Sequence, residues 1–555
     1  MRKNLFKLAS LLLIGLAVMS CTNPKKMAEK AAMVQTSCNP EVLECVAGKI
    51  NAAYTLTFPE KYFIKKAVLE VTPVLVYDGG EIKGKVLTIQ GEKVYENNQV
   101  VSYANGGTVS GAATFDYVPG VEKAVLELRA TVYNRSRTKS FVYPEPRKIA
   151  DGTNCTYMLV EFGGHVGTAV VEPNNYQKVI NYTKEAQILY LINQWNVRPK
   201  ELKSEQVKEL EKFLQDIKSD ERSTVTSNDI IAYASPDGKE ALNDKLADKR
   251  SNTAKTAFDR TINKKAKSDA PVNVTAAGED WEGFKAMVEN SDIQDKDLIL
   301  RVLSMYSESS VREREIRNMS AIFDDLAKTI LPQLRRSRFI ANVEYKNWTD
   351  EELLSMINTN ADDLDEEALL YTATIVKGND AKAAVYQKAG EKYNSSRAWN
   401  GLAATKLADG KIDEAKAALN KVSEKNGAYY NNMAVVALQE KDYKAAADYL
   451  ANSDAPEAKY NQGIVDIMNG KYSEAAANLQ GQGGCAEALA NVLVNNLSAA
   501  SAVATKDCAK QSYIRAIIAA RQGNASAAKA ELAKASKNAE LAARSAKDIE
   551  FAKVK

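Results

Sequence analysis

Between Ala47 and about Val171 apolar and polar residues alternate in short runs, the pattern of half-buried strands. Ala67 to Val71, Lys85 to Ile89 and Ala124 to Leu128 are examples, and Asp78-Gly79-Gly80 and Asn105-Gly106-Gly107 supply turns between such runs. The alternation predicts a β-sandwich of antiparallel strands, as one or two units, over residues 47–178. From Gln187 the period changes. Ile188 to Ile192 and Ile230 to Tyr233 are strand-like, and Lys203 to Ser219 is a predicted helix with Val207, Leu210, Phe213 and Leu214 on one face. A second helix is expected from Glu240 to Lys264. This mixture predicts a central α/β domain over 186–346, with a helical insertion at 278–333. Residues 350–555 are helical in spacing throughout and predict an all-α array.

Within that array the spacing is repetitive. Trp399, Leu402, Ala403, Ala415 and Leu419 are followed at the same offsets by Tyr430, Met433, Ala434, Ala446 and Leu450. Gln462, Gly463, Tyr472, Ala475 and Leu479 give a third copy, and Leu370, Tyr371 and Ala383 a weaker earlier one. The set resembles the tetratricopeptide repeat, in which small residues let paired helices approach closely. Trp399, Ala415, Tyr430, Ala446, Gly463 and Ala475 are the expected packing positions. The resemblance implies a solenoid whose concave groove takes a protein or peptide partner. Beyond Gly484 the copies degenerate, with one more turn signal at Gly523 to Ala528.

A second resemblance lies in the central domain. Ala232 to Gly238, then Asn243, Leu246 and Arg250, resemble the core motif of the OmpA-like peptidoglycan-binding domain. Gly278-Glu279 after a strand, and the basic run Leu334 to Ile340 as closing strand, match its later parts over roughly residues 186–346. The resemblance implies that Arg250 donates two parallel hydrogen bonds to a diaminopimelate carboxylate, while a turn carboxylate holds the ammonium. Ser235 (250 − 235 = 15) stands where the family has that Asp. Asp237 lies two residues on and offers a carboxylate from another angle. Two outcomes follow: retained wall binding through Arg250, Ser235, Asp237 and Asn243, or a domain kept as fold only. A solvated Arg250 beside Asp248 and Lys249 is the bland alternative.

Composition narrows the chemistry. Lys and Arg number 74 and Asp and Glu 71, so the formal net charge of +3 implies no nucleic-acid partner. There is one histidine, His165, which cannot form a multi-histidine metal site and leaves most hydrolytic triads incomplete. Asn358, Asn360 and Asp362 alternate like a calcium loop, but Asp363 and Leu369 stand where Gly and Glu are required. No catalytic residue, metal or cofactor is expected, and the chain is not expected to be an enzyme.

The N-terminus carries Arg2, Lys3 and Lys7, then the apolar run Leu11 to Val18, then Val18-Met19-Ser20-Cys21. This order resembles a lipoprotein signal with its lipobox. It implies a signal peptide at 1–20, a lipid on Cys21 and a location at the outer membrane, facing the periplasm. Residues 21–46 are expected to be a polar tether, whose stretch 22–37 would reach about 50 Å if extended. In such a compartment disulfides are permitted. Cys485 and Cys508 are either a bridge between neighbouring helices or two buried thiols, and among Cys38, Cys45 and Cys155 one is left over. Two functions follow from these readings. One is a lipid-anchored link between envelope, peptidoglycan and partner proteins. The other is an assembly scaffold in which the OmpA-like domain no longer binds the wall.

Overall fold

The computed structural model describes residues 23–554 apart from His165 and Asp295. The chain divides into two compact units: Met1–Pro173 with Val376–Lys555, and Asn174–Ile375. The second unit therefore interrupts the first in sequence.

The first unit begins with the helix Lys25–Glu29 and continues into eleven described strands. These are β1 (Gln35–Asn39), β2 (Val42–Val46), β3 (Lys49–Phe58), β4 (Ala67–Tyr77), β5 (Gly80–Lys83) and β6 (Leu87–Gly91). Then come β7 (Gln99–Val101), β8 (Gly107–Asp116), β9 (Val125–Asn134), β10 (Ser140–Val142) and β11 (Arg147–Asn154). They follow one hydrogen-bonded path, β1-β3-β2-β11-β9-β4-β6-β7, with β8, β5 and β10 flanking β3, β4 and β9. Burial alternates strictly along β3, as the sequence period requires. Its Leu56 and Phe58 share a cavity of about 280 Å³ with Leu69 and Val71 of β4 and Leu128 of β9, so the path folds back over itself.

Two expectations are corrected here. The strands are not all antiparallel: β2 pairs parallel with β11, and β6 with β7. More than a hundred residues separate β2 from β11, which leaves ample chain for the crossover that parallel pairing needs. The tether is also largely absent, because residues 25–46 supply the first helix, β1 and β2. Met27 and Ala28 are buried, and the Tyr62 hydroxyl donates to the Met27 carbonyl at 2.8 Å. The few apolar side chains of a polar stretch were enough to dock it.

The helical part of this unit starts at Asn379–Tyr393 and proceeds in antiparallel pairs. The pairs are Ser396–Ala408 with Ile412–Leu419, Gly427–Gln439 with Tyr443–Leu450, and Ala458–Met468 with Tyr472–Leu479. Two further pairs, Gly484–Leu493 with Leu497–Val503 and Ala509–Arg521 with Ala525–Ala535, continue it where the sequence copies fade. Ala415, Ala446 and Ala475 are fully buried between helices. A Cβ at Gly463 would lie 2.5 Å from Leu479 Cγ, and one at Gly390 would lie 2.6 Å from the Trp399 ring, so these positions admit no side chain. Tyr430 is half-buried and packs edge-on against Tyr429, which is the buried ring of that turn.

The second unit is a four-stranded sheet of β12 (Val179–Leu189), β13 (Ser223–Ala234), β14 (Val272–Glu279) and β15 (Arg336–Lys346), in the order β12-β15-β13-β14. β15 is antiparallel to both neighbours, and β14 runs parallel to β13. The helices Glu205–Ser219 and Glu240–Phe258 cover it through Val207, Leu210, Leu214, Ala254 and Phe258. Between β14 and β15, helices from Trp281 to Leu334 form a small core of their own around Phe284, Val288, Ile299 and Leu326. The expected strand 188–192 ends at Leu189. Leu191 and Ile192 are instead exposed on a loop in which Asn193 takes φ +56°. The helices Asp350–Thr359 and Glu366–Ile375 belong to this unit rather than to the array, with Tyr371 stacked on Tyr176 at 4.8 Å.

Candidate functional site

The helix Glu240–Phe258 follows the turn at Ser235 to Gly238 and carries Asn243 and Arg250 on its inner face, so the four expected binding residues do converge. What they bind is the chain itself. Arg250 is 1% exposed, so the solvated alternative does not hold. Its Nη1 donates to the Tyr233 carbonyl at 2.8 Å and its Nε to the Gln194 carbonyl at 3.0 Å, with the Leu191 carbonyl 3.5 Å from Nη2. The guanidinium also lies 4.9 Å from the centre of the Tyr190 ring. Burial presses its pKa down to about 10. The cover is the loop after β12, tied down where Thr253 Oγ1 donates to the Trp195 carbonyl at 2.6 Å and Lys249 Nζ sits 4.0 Å over the Trp195 ring.

The other three residues are equally engaged. The Ser235 hydroxyl donates to the Asp237 carboxylate and accepts from Arg335 Nε at 3.1 Å. Arg335 Nη2 donates to Asp237 at 2.8 Å, so that carboxylate is already neutralised by a cation of this chain. Asn243 Nδ2 donates to the carbonyls of Ser235 and Gly238, at 3.1 and 3.2 Å, and to Glu279 Oε1 at 2.7 Å. It closes the turn rather than presenting a ligand group. Arg335 went unassigned in the sequence, although it stands in the basic run already singled out at Leu334 to Ile340.

The groove of the helical array gives a second correction: along its asparagine-lined stretch it is filled by the chain's own residues 166–172. Thr168 N donates to Asn461 Oδ1 at 2.7 Å, and the Thr168 carbonyl accepts from Asn461 and Asn431 at 2.9 and 3.0 Å. Val170 N donates to Asn432 Oδ1 at 2.7 Å, and its carbonyl accepts from Asn432 Nδ2 at 2.9 Å. The Glu172 carboxylate then receives Asn400 and Asn426, at 2.9 and 2.6 Å. Asn400, Asn431, Asn432 and Asn461 are completely buried. Side-chain amides that carry both a donor and an acceptor can pair with both groups of one extended residue. Alternate residues of an extended strap therefore meet successive helical repeats. The signal was present in the sequence: Asn400, Asn431 and Asn461 recur at steps of 31 and 30 (431 − 400 and 461 − 431), close to the repeat step of the packing alanines. At that step the small packing residues dominate the pattern, and the amides beside them add no apolar signal of their own. The root of the strap is fixed where Lys510 Nζ donates to the carbonyls of Val160 and Phe162, at 2.9 and 3.1 Å.

A cleft of about 720 Å³ lies at the seam of sheet and array, between β2, β11 and the C-terminal helices. Its polar wall is internally paired: Glu550 accepts from Asn154 and Thr156, both at 2.9 Å, and from Arg521 Nε at 3.1 Å. All five described cysteines are free thiols. Cys485 is half-buried and Cys508 exposed, so they are not two buried thiols, and burial pushes the Cys485 thiol up. Cys21 and His165 lie outside the described residues.

No protein-family model matches the chain, and no curated protein matches it. Among solved structures, it is similar to a tetratricopeptide repeat protein from Parabacteroides merdae ATCC 43184, at 16% identity and a TM-score of 0.27, over 34% of this chain and 84% of that one. It is also similar to the APC/C hetero-tetramer Cut9-Hcn1, at 15% identity and a TM-score of 0.29, over 54% and 74% of the two chains. Such superpositions are too loose to define the fold. The description of the array as tetratricopeptide-like rests on its own helix pairs and the small residues between them.

Proposed function

We propose that this chain is a lipid-anchored scaffold of the cell envelope whose OmpA-like unit serves as structure and not as a wall-binding module. The observation that carries the reading is the state of Arg250: it is 1% exposed, and each of its three nitrogens faces a backbone carbonyl of this chain rather than an open carboxylate site. The OmpA-like resemblance is supported by the strand order β12-β15-β13-β14, with a parallel β13-β14 pair, and by the strand, turn and helix that carry the motif. Anchoring through Cys21 at the periplasmic face of the outer membrane is supported by the charged head, apolar run and lipobox-like residues alone. Since folded chain starts within a few residues of Cys21, such an anchor would hold the sheet-rich region close to the membrane surface. Protein partners would meet the outer helical surfaces of the array, the asparagine-lined groove being taken in cis.

One observation favours the rival reading, in which the unit still binds peptidoglycan. The loop over Arg250 exposes Leu191, Ile192 and Trp195, an apolar content unusual for a solvated turn and compatible with a cover that opens. Co-sedimentation with purified sacculi separates the two. The scaffold reading expects the soluble chain to stay in the supernatant, and Ser235→Asp to change nothing. Sedimentation of the native chain that is lost in Arg250→Ala, with folding verified, overturns it in favour of wall binding.

A further inference from the structure

We propose that Cys45 and Cys155 are a disulfide-forming pair that locks β2 to the chain leaving β11. β2 and β11 run parallel with Glu44 opposite Asn154, and each cysteine is the next residue along. Neighbouring strands lie about 4.7–4.9 Å apart, inside the Cα separation of roughly 4.4–6.8 Å that a disulfide spans. Cys45 Sγ is 3.6 Å from the hydroxyl of Tyr157, two residues beyond Cys155. Cys38 is the cysteine left over: it sits on β1 opposite Tyr54 of β3, outside this pairing.

Both thiols are buried, yet each has a route to a small reagent. Cys45 lines the seam cleft of about 720 Å³, and Cys155 lines a separate cavity of about 220 Å³. The neighbouring Cys155 thiol lowers the Cys45 thiol pKa, while the neighbouring Cys45 and burial raise that of Cys155. Cys45 lines the wider cleft and is the first thiol an oxidant meets, so its thiolate attacks first. It displaces one thiolate from a disulfide oxidant, either a small-molecule disulfide or a protein dithiol–disulfide carrier, and forms a mixed disulfide. Cys155 then releases its proton and attacks the Cys45 sulfur, expelling the second thiolate. Two protein thiols are oxidised and one oxidant disulfide is reduced to two thiols, so atoms and electrons balance. The bridge ties down Cys155, directly before the Thr156–Glu161 turn that leads into the groove strap. It is independent of the anchoring proposal.

The test uses the purified full chain incubated with oxidised glutathione, alkylated, digested with trypsin and analysed by mass spectrometry. Tryptic residues 31–49 contain Cys38 as well as Cys45, so Cys38→Ser is run beside the native chain. The expected result is a linked pair of the 31–49 and 149–178 peptides, lighter than their sum by two hydrogens. It should be present in both proteins and abolished by a reductant. Alkylated Cys45 and Cys155 under conditions in which the exposed Cys508 has fully reacted overturn the proposal. So does a link that disappears in Cys38→Ser.

Discussion

Replacing Arg250 by alanine probes how firmly the chain closes its own candidate site. Two losses act together. The carbonyls of Tyr233 and Gln194 lose their donors, at roughly 1–3 kcal/mol for each buried acceptor left unpaired. A large, fully buried side chain is also removed, and such truncations to alanine cost about 2–5 kcal/mol. Against them stands relief from burying a cation. The fall of the arginine pKa from its usual value to about 10 corresponds to ~3 kcal/mol at about 1.36 kcal/mol per unit. The losses prevail, leaving a destabilisation of about 4 kcal/mol in the second unit. Trp195, Trp281 and Trp348 all belong to that unit and Trp399 to the other, so urea denaturation followed by tryptophan fluorescence reports chiefly the right transition. The Arg250→Ala midpoint should fall sharply while the slope is kept. A shift worth less than about 1 kcal/mol would show that the guanidinium is solvated and the site open.

Three further outcomes are expected. Asn432→Ala strips the Val170 N–H and C=O and Asn400 Oδ1 of partners in a buried place, so the first unit should lose about 3 kcal/mol by circular dichroism in urea; no change would mean that the strap is not held by the amides. Cys485 and Cys508 should link on mild oxidation, detected as one cross-linked peptide pair; two freely alkylated thiols after oxidant treatment would mark them as unreactive neighbours. Cys21→Ala should leave the membrane fraction for the soluble one in detergent phase separation, and unchanged partition would remove the anchor from the proposal.

Period and spacing carried the sequence a long way where one physical cause dominates. Alternation along β3, and the small residues Ala415, Ala446, Gly463 and Ala475, are local signatures of burial, and burial is where they ended. What escaped depends on distant parts of the chain. The helix at Lys25–Glu29 is polar in sequence and folds because Met27 meets Tyr62 and Ile64 across the sheet. Beyond Gly484 the helix pairs persist without the repeat motif, since any apolar residues at helical spacing pack against an existing helix end. The candidate sites failed for one shared reason. A motif gives the residue types a ligand would need, but Arg250 and Asp237 have those needs met by Gln194, Tyr233 and Arg335, which no spacing rule connects to them. Likewise Asn432 has the chemistry of a peptide receptor, and its peptide is Val170.

Both candidate sites being filled by the chain's own backbone is the central claim, and hydrogen–deuterium exchange on the intact protein tests it most directly at the strap. Thr168 and Val170 amides donate to fully buried asparagines and should exchange as slowly as the helix Gly427–Gln439 they cross, opening only with that helix. Exchange at these two amides at the rate of an unprotected loop, with the helix still protected, would contradict the account and return the groove to an outside partner.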